Sequence, residues 1–243
     1  MPSDLAALRG EPSYVWRSGQ ERRLQMLLHY LRLEGAQVLE FGCGNGVYAT
    51  RFAERFASHV EAFDVEPERV AEARVTIPHA LVALGERLPY ASDRFDLVFS
   101  NEVIEHVQDD HACAAEMVRV ARPGGKVILF CPNRWYPFET HGFYWRGKYH
   151  FGNTPLINYL PDPLRNRLAP HVRAYTAHGI EAIFKGLPVR VVEHTRIFGG
   201  YDNIARKLPK IGPALREMLY AFEKTPLRFF GLSHLLVLEK LGG

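Results

Sequence analysis

Cysteine is scarce: Cys43, Cys113 and Cys131 stand far apart with no CxxC pair. That excludes a disulfide framework and a thiolate zinc site, and leaves reduced, packed thiols as the expectation. Long apolar runs are missing too. Nothing approaches the roughly 18 consecutive apolar residues of a membrane span. The start, "MPSDLAALRGEPSY", has neither the basic lead nor the apolar stretch of a secretory signal. The expectation is a cytoplasmic chain. No internal repeat and no low-complexity tract is visible, so repeat arrays and disordered tracts are excluded.

What is present is the balance of a folded protein. Of 243 residues 47% are hydrophobic and 23% charged, enough for one sizeable core and no firm case for two domains. The net charge of +3 hides an asymmetry. Residues 1–133 carry 14 Lys and Arg against 19 Asp and Glu, whereas residues 134–243 carry 16 against 8. The basic half suits contact with an anionic substrate, a phospholipid surface or nucleic acid, or is a solvated face.

In "QERRLQMLLHYLRL", Leu24, Leu27, Leu28 and Leu31 form the single apolar stripe of an amphipathic helix. "AQVLEFG" and "HVEAFDV" are short β-rich runs around "VYATRFAERFA", where Tyr48, Phe52 and Phe56 share a helical face. The alternation continues with strands in "HALVALG", "RFDLVFSNEV" and "GKVILFC", and with a helix in "DDHACAAEMVRVA" that Pro123, Gly124 and Gly125 end. Strands apolar on both faces that alternate with helices predict a doubly wound, Rossmann-like α/β fold with a mostly parallel sheet. We expect a single domain over 1–243: an N-terminal helical segment to 34, a cofactor-binding half at 35–133, an aromatic-rich cap or lid at 134–173, and a C-terminal half at 174–243 that completes the sheet.

"VLEFGCGNGVYA" sets Gly42, Gly44 and Gly46 between a strand and its helix, where backbone can approach a ligand closely. Gly46 comes four residues after Gly42, one short of the dinucleotide spacing. Glu40, two residues before Gly42, would repel a pyrophosphate but favour a ligand carrying an ammonium and a sulfonium, which is S-adenosylmethionine. Asp64 ends the second strand, where a carboxylate accepts from ribose hydroxyls or starts the next helix.

Four blocks, "VLEFGCGNG", "VEAFDVEPERV", "GERLPYASDRFDLVFSNEVIEHV" and "ARPGGKVILFCPN", stand in order across residues 36–133. In these the chain resembles class I S-adenosylmethionine-dependent methyltransferases of the small-molecule type. The resemblance implies a seven-stranded sheet with an antiparallel last strand, for which "SHLLVLEK" is the candidate. It implies that Glu40, Gly42, Cys43 and Gly44 line the methionine end, that Asp64 holds the ribose, and that Val65, Gly85 and Glu86 lie at the adenine. Leu84 stands where an Asp is common in the family. Asn101 and Glu102 fall near the methionine moiety and the reacting methyl. A long stretch precedes "SHLLVLEK" where family members often have a short hairpin, and this departure suits a substrate or partner surface.

"SNEVIEHVQDDH" has three readings. In one, Val103 and Ile104 pack while Glu105 and His106 turn a loop. In another, His106 is a general base, since imidazole titrates near neutral pH. In the third, Glu102, Glu105 and His106 form an E-x-x-E-H set for a divalent cation such as Mg²⁺, a pattern that resembles ubiquinone-pathway O-methyltransferases and small-RNA ribose methyltransferases. His141 is a further base or ligand candidate. Asn133 and Arg134 follow the fifth strand, where they would orient an acceptor or simply shape the turn.

Eight aromatics lie between Trp135 and Phe151, interleaved with Arg146 and Lys148. They suit a lid over an apolar acceptor, or a peripheral membrane contact. The expected function is methyl transfer to a small, apolar or lipid-like acceptor at oxygen. An RNA ribose methyltransferase, though no RNA-binding module is recognisable, and a non-enzymatic cofactor-binding relative are the alternatives. Oligomeric state is not legible.

Overall fold

A computed structural model describes residues 15–242. The first part of the expected N-terminal segment, residues 1–14, lies outside them. Strands β1 (Gln37–Phe41), β2 (His59–Asp64), β3 (Leu81–Val82), β4 (Phe95–Asn101), β5 (Ala121–Pro132), β10 (Val189–Ile197) and β11 (Ser233–Lys240) form one sheet in the order β10-β11-β5-β4-β1-β2-β3. The five strands β1 to β5 pair in parallel, and β11 runs antiparallel to both β5 and β10. "HALVALG" supplies only a two-residue strand.

The alternation of side chains explains why both faces are covered. Leu39, Phe41 and Val98 enter one apolar layer with Met117 and Ile180, whereas Val38, Leu97 and Phe99 enter another with Leu24, Leu27, Tyr48 and Phe52. Helix α1 (Ser18–Leu27) and α2 (Val47–Phe56) therefore pack on one face. On the other lie α4 (Asp110–Val120), after α3 (Pro67–Ala73), and α6 (Ala177–Ala182), after α5 (Asp162–Leu168). Local signals start these helices: Asp109 accepts from Ala112 N at 2.9 Å and Thr176 from Gly179 N at 3.0 Å.

Helix α1 is shorter than its apolar stripe. It stops at Leu27, and Leu31 packs against the core from the following turn. Helix α4 ends at Val120 rather than at Pro123, because Ala121 already pairs with Phe95 as strand.

Residues 134–173 hold two β ribbons, β6 (Phe138–Glu139) with β9 (Thr154–Pro155) and β7 (Phe143–Trp145) with β8 (Lys148–His150), followed by α5. Residues 198–232 hold α7 (Asp202–Lys207), α8 (Gly212–Phe222) and a 3-10 turn at Pro226–Phe230. Asn133 and Arg134 serve these additions. Asn133 donates to the carbonyls of Phe229 and Gly231, and Arg134 to Leu160 O and Asp162, so neither is directed to an acceptor. Cys43, Cys113 and Cys131 are free and buried. No helix among the described residues is long and apolar enough to cross a membrane.

Candidate active site

The carboxyl ends of β1, β2 and β4 open on a cavity of about 610 Å³. The glycine loop makes its floor. At Gly42 φ is +74° and a Cβ would lie 2.5 Å from Val103 Cγ1, so the loop can approach both Val103 and a ligand only without a side chain. A Cβ at Gly85 would lie 2.5 Å from the Phe41 ring. Glu40, Cys43, Gly44, Asp64, Val65, Glu86, Asn101 and Glu102 also line the cavity. Gly46 does not; it is the left-handed residue that starts α2.

Each carboxylate there has a definite environment. Glu40 is 4% exposed and accepts from Ala49 N, in the first turn of α2, at 2.7 Å. Burial nevertheless pushes its carboxyl up to about 8, against the opposing pull of that N–H. Asp64 accepts from Gly44 N at 2.8 Å and from Glu66 N at 3.0 Å, tying the glycine loop to the end of β2. Glu86 accepts from Gln108 N at 3.1 Å and Asp109 N at 3.2 Å, which pins the loop after β4 beside the adenine candidates.

Glu102 has φ +55°, a left-handed backbone that non-glycine residues adopt rarely and mostly at functional sites. Its carboxylate accepts from Arg23 Nη2 at 2.8 Å and Ser233 Oγ at 2.7 Å. Arg23 also donates to Asn101 Oδ1 at 2.5 Å. Burial opposes the negative charge, but the guanidinium holds Glu102 below the usual carboxylate range. The sequence reading missed Arg23 and Ser233. Arg17, Gln20 and Arg23 fall at i, i+3 and i+6 on α1 or its cap, and all line the cavity. That polar stripe opposite the leucines was the available signal.

The metal-capable set differs from E-x-x-E-H. Glu105, His106 and His141 bring ligand atoms within 4.8 Å of one another, while Glu102 is engaged by Arg23 and Ser233. Glu105 is 1% exposed, and neither of its oxygens has a hydrogen-bond partner among the described residues. Its Oε1 lies 4.0 Å from His106 Nε2 and 3.9 Å from His141 Nε2. Burial, then the nearby Glu102 charge, push the Glu105 carboxyl well up.

The partners of the two histidines assign their tautomers. His106 Nδ1 faces the His171 carbonyl at 3.2 Å, so Nδ1 donates and Nε2 keeps its lone pair. Burial pushes His106 down to about 4, so it is neutral at pH 7. His141 Nδ1 lies 3.1 Å from Glu139 Oε1, which also accepts from His141 N at 2.9 Å. Arg165, 2% exposed on α5, completes the chain by donating to Glu139 Oε2 at 2.9 Å. Burial works against the Glu139 charge, yet the hydrogen bond from His141 keeps its carboxyl below the usual range. Both imidazoles therefore turn an Nε2 lone pair toward Glu105, and both line the cavity.

Residues 39–129 match the family described as "Methyltransferase domain". The chain is 35% identical over 119 residues to "Ubiquinone biosynthesis O-methyltransferase" of Xanthomonas oryzae pv. oryzae, covering 46% of this chain and 49% of that protein. It is 36% identical over 121 residues to a "Probable S-adenosylmethionine-dependent methyltransferase" of Mycolicibacterium smegmatis, covering 49% and 46%. The chain thus spans about half the length of the curated relatives it matches. In fold it is similar to an S-adenosylmethionine-dependent methyltransferase structure from Mesorhizobium loti, with TM-score 0.63 at 16% identity over 92% of this chain and 98% of that one. Residues 39–129 thus match a methyltransferase domain, and the likeness to the solved structure is one of fold.

Proposed function

We propose that the chain transfers a methyl group from S-adenosylmethionine to a hydroxyl oxygen of a small, apolar or lipid-like acceptor. The observation that carries this reading is that two imidazoles, His106 and His141, stand on the wall of the same cavity as Glu40, Asp64 and the glycine loop. When bound, the cofactor supplies a methyl group on a sulfonium, open to in-line displacement. The residues present fit it: Glu40 offers a buried counter-charge to a cation, and the Gly42 turn leaves backbone bare. Asp64 would meet the ribose, and Val65, Gly85 and Glu86 the adenine.

The chain's own task is to hold the acceptor at near-attack distance, exclude water and remove a hydroxyl proton. Val103, Val107 and Leu232 add apolar lining to the cavity, which suits an apolar acceptor. Of the two imidazoles, we assign the proton-accepting role to His141. Glu139 stands behind its Nδ1–H and stabilises the imidazolium formed when Nε2 takes a proton, whereas His106 has only the neutral His171 carbonyl behind it.

A second reading follows from Glu105. A buried carboxylate with both oxygens free, facing two imidazole lone pairs, also fits a divalent cation. Two nitrogen donors and one oxygen suit Zn²⁺ or a similar transition metal better than Mg²⁺, which prefers all-oxygen octahedral sites. Such an ion would lower the pKa of an acceptor hydroxyl.

S-adenosylhomocysteine should raise the melting temperature of the purified protein, and the absence of a shift at saturation would remove the cofactor reading. Mass spectrometry of the methylated product should place the methyl on oxygen. His141→Ala should slow turnover by about 10²- to 10⁴-fold. Transfer to nitrogen or carbon, or full activity in the His106→Ala/His141→Ala double variant, contradicts the mechanism. Metal analysis decides the second reading: Glu105→Ala should lose any bound ion, and activity indifferent to chelators rejects it.

A further inference from the structure

The helical hairpin formed by α7 and α8 has its inner side accounted for and its outer side uncovered by the other described residues. Inward, Asp202 accepts from Ser18 Oγ at 2.5 Å, Glu223 pairs with Arg22 at 2.5 Å, and Arg22 lies 3.7 Å from the Tyr220 ring centroid. The two helices close on each other at Gly212, where a Cβ would lie 2.4 Å from Ala205 Cα. Gly212 is also the one buried residue of the two helices. Outward, Ile204, Leu208, Ile211 and Met218 are 38%, 52%, 62% and 46% exposed.

The charge on this surface is one-sided. Residues 196–230 contain seven Lys and Arg against three Asp and Glu. Two of the acids, Asp202 and Glu223, are the ones turned inward. Lys207, Lys210, Lys224 and Arg228 are exposed. Beside them Trp135 stacks on Phe229 at 5.2 Å, and Trp135, Tyr159 and Phe230 remain 36–41% exposed. The hairpin also springs from the cavity rim, since Gly199, Gly200 and Asp202 line the cavity.

We propose that this hairpin is a docking surface for an anionic lipid bilayer. Exposed apolar side chains, lysines and part-exposed amphipathic aromatics on the hairpin and the turn that follows it are the components of an interfacial anchor. A second copy of the chain fits less well, because a face this rich in lysine repels itself and lysine is depleted from protein interfaces. The inference deepens the reading of a lipid-like acceptor, for which it supplies a route: a bilayer-bound acceptor would meet the cavity at its rim.

The test is sedimentation of the full chain with vesicles of phosphatidylcholine alone and of phosphatidylcholine mixed with phosphatidylglycerol. Binding to the mixed vesicles should exceed binding to the neutral ones and weaken with salt. At about fivefold per charge, Lys207→Ala with Lys210→Ala should weaken it on the order of 20-fold. Ile211→Asp should abolish it. The side chains are exposed, and each variant should keep its melting shift with S-adenosylhomocysteine, which reports a folded cofactor site. Wild-type protein left in the supernatant with both vesicle types overturns the proposal. So does adsorption that Ile211→Asp leaves intact, since that is charge alone, or self-association lost in Ile211→Asp without vesicle binding, which assigns the face to a second copy. No melting shift in a wild type that still binds vesicles would instead count against the methyltransferase reading.

Discussion

If Glu40 is the counter-charge for the cationic end of S-adenosylmethionine, binding must release a proton. Burial holds its carboxyl at about 8 instead of 4.5, so at pH 7 it is about nine-tenths protonated. A cation against it restores the ionised form and expels about 0.9 proton. Affinity should then rise by about tenfold per pH unit between about pH 5.5 and 8 and level off above. The sign for stability follows from the same shift. The folded state of the free protein holds this proton more tightly than the unfolded chain. The Glu40 contribution to stability is therefore lost as pH climbs from about 4.5 to about 8, costing on the order of 3 kcal/mol at pH 7. Titration calorimetry at pH 7 in phosphate and in Tris, buffers of different ionisation enthalpy, measures the protons exchanged. Glu40→Gln should abolish the buffer dependence and make the free protein more stable than wild type at high pH. Identical enthalpies in both buffers, with a Kd that does not change between about pH 6 and 8, would refute the assignment of Glu40 as counter-charge.

Three further outcomes are expected. Gly42→Ala sets a Cβ 2.5 Å from Val103 in a left-handed turn, and cofactor affinity should fall by at least about tenfold, a cost of about 1.4 kcal/mol; unchanged affinity in a titration means that the loop relaxes freely. Glu139→Gln removes the charge behind His141 Nδ1–H and that partnering Arg165. Turnover should fall by about 10- to 100-fold, and the ¹⁵N spectrum of His141 should lose its single tautomer; a tautomer that persists with normal turnover denies Glu139 its positioning role. Phe99, fully buried with ring centroids 4.9 Å from Tyr48 and 5.5 Å from Phe52, should cost about 3–5 kcal/mol in urea unfolding when changed to Ala, and a loss below about 1 kcal/mol would mean that its layer repacks.

The sheet was legible because its information is local. In β1 four of five residues are buried, and in β4 Leu97, Val98, Phe99 and Ser100 are buried in succession, so both faces are apolar and the run reads as a covered parallel strand. The glycine loop was legible for the same reason, since backbone requirements are written at single positions. Residues 134–173 were not. Their strands are two or three residues long, and what organises them is the buried pair Glu139–Arg165, 26 residues apart, for which no periodicity exists. Arg23 was missed because its partner Glu102 lies 79 residues away.

The E-x-x-E-H stretch shows where spacing misleads. A spacing of three between glutamates places both on one side only if the backbone is helical, and residues 104–106 form a turn. The left-handed φ at Glu102 breaks the periodicity at its first member and sends that carboxylate to Arg23. Glu105 and His106 group instead with His141, which comes from the cap and is fixed there by Glu139. The two carboxylates nevertheless stay close enough for the Glu102 charge to act on Glu105. The Arg23 guanidinium holds the Glu102 carboxyl below the usual range against the pull of burial, and burial with the Glu102 charge holds the Glu105 carboxyl well above it. Substituting Glu102 should therefore disturb Arg23 and Glu105 at once, whereas changes to Glu105 should leave cofactor affinity intact.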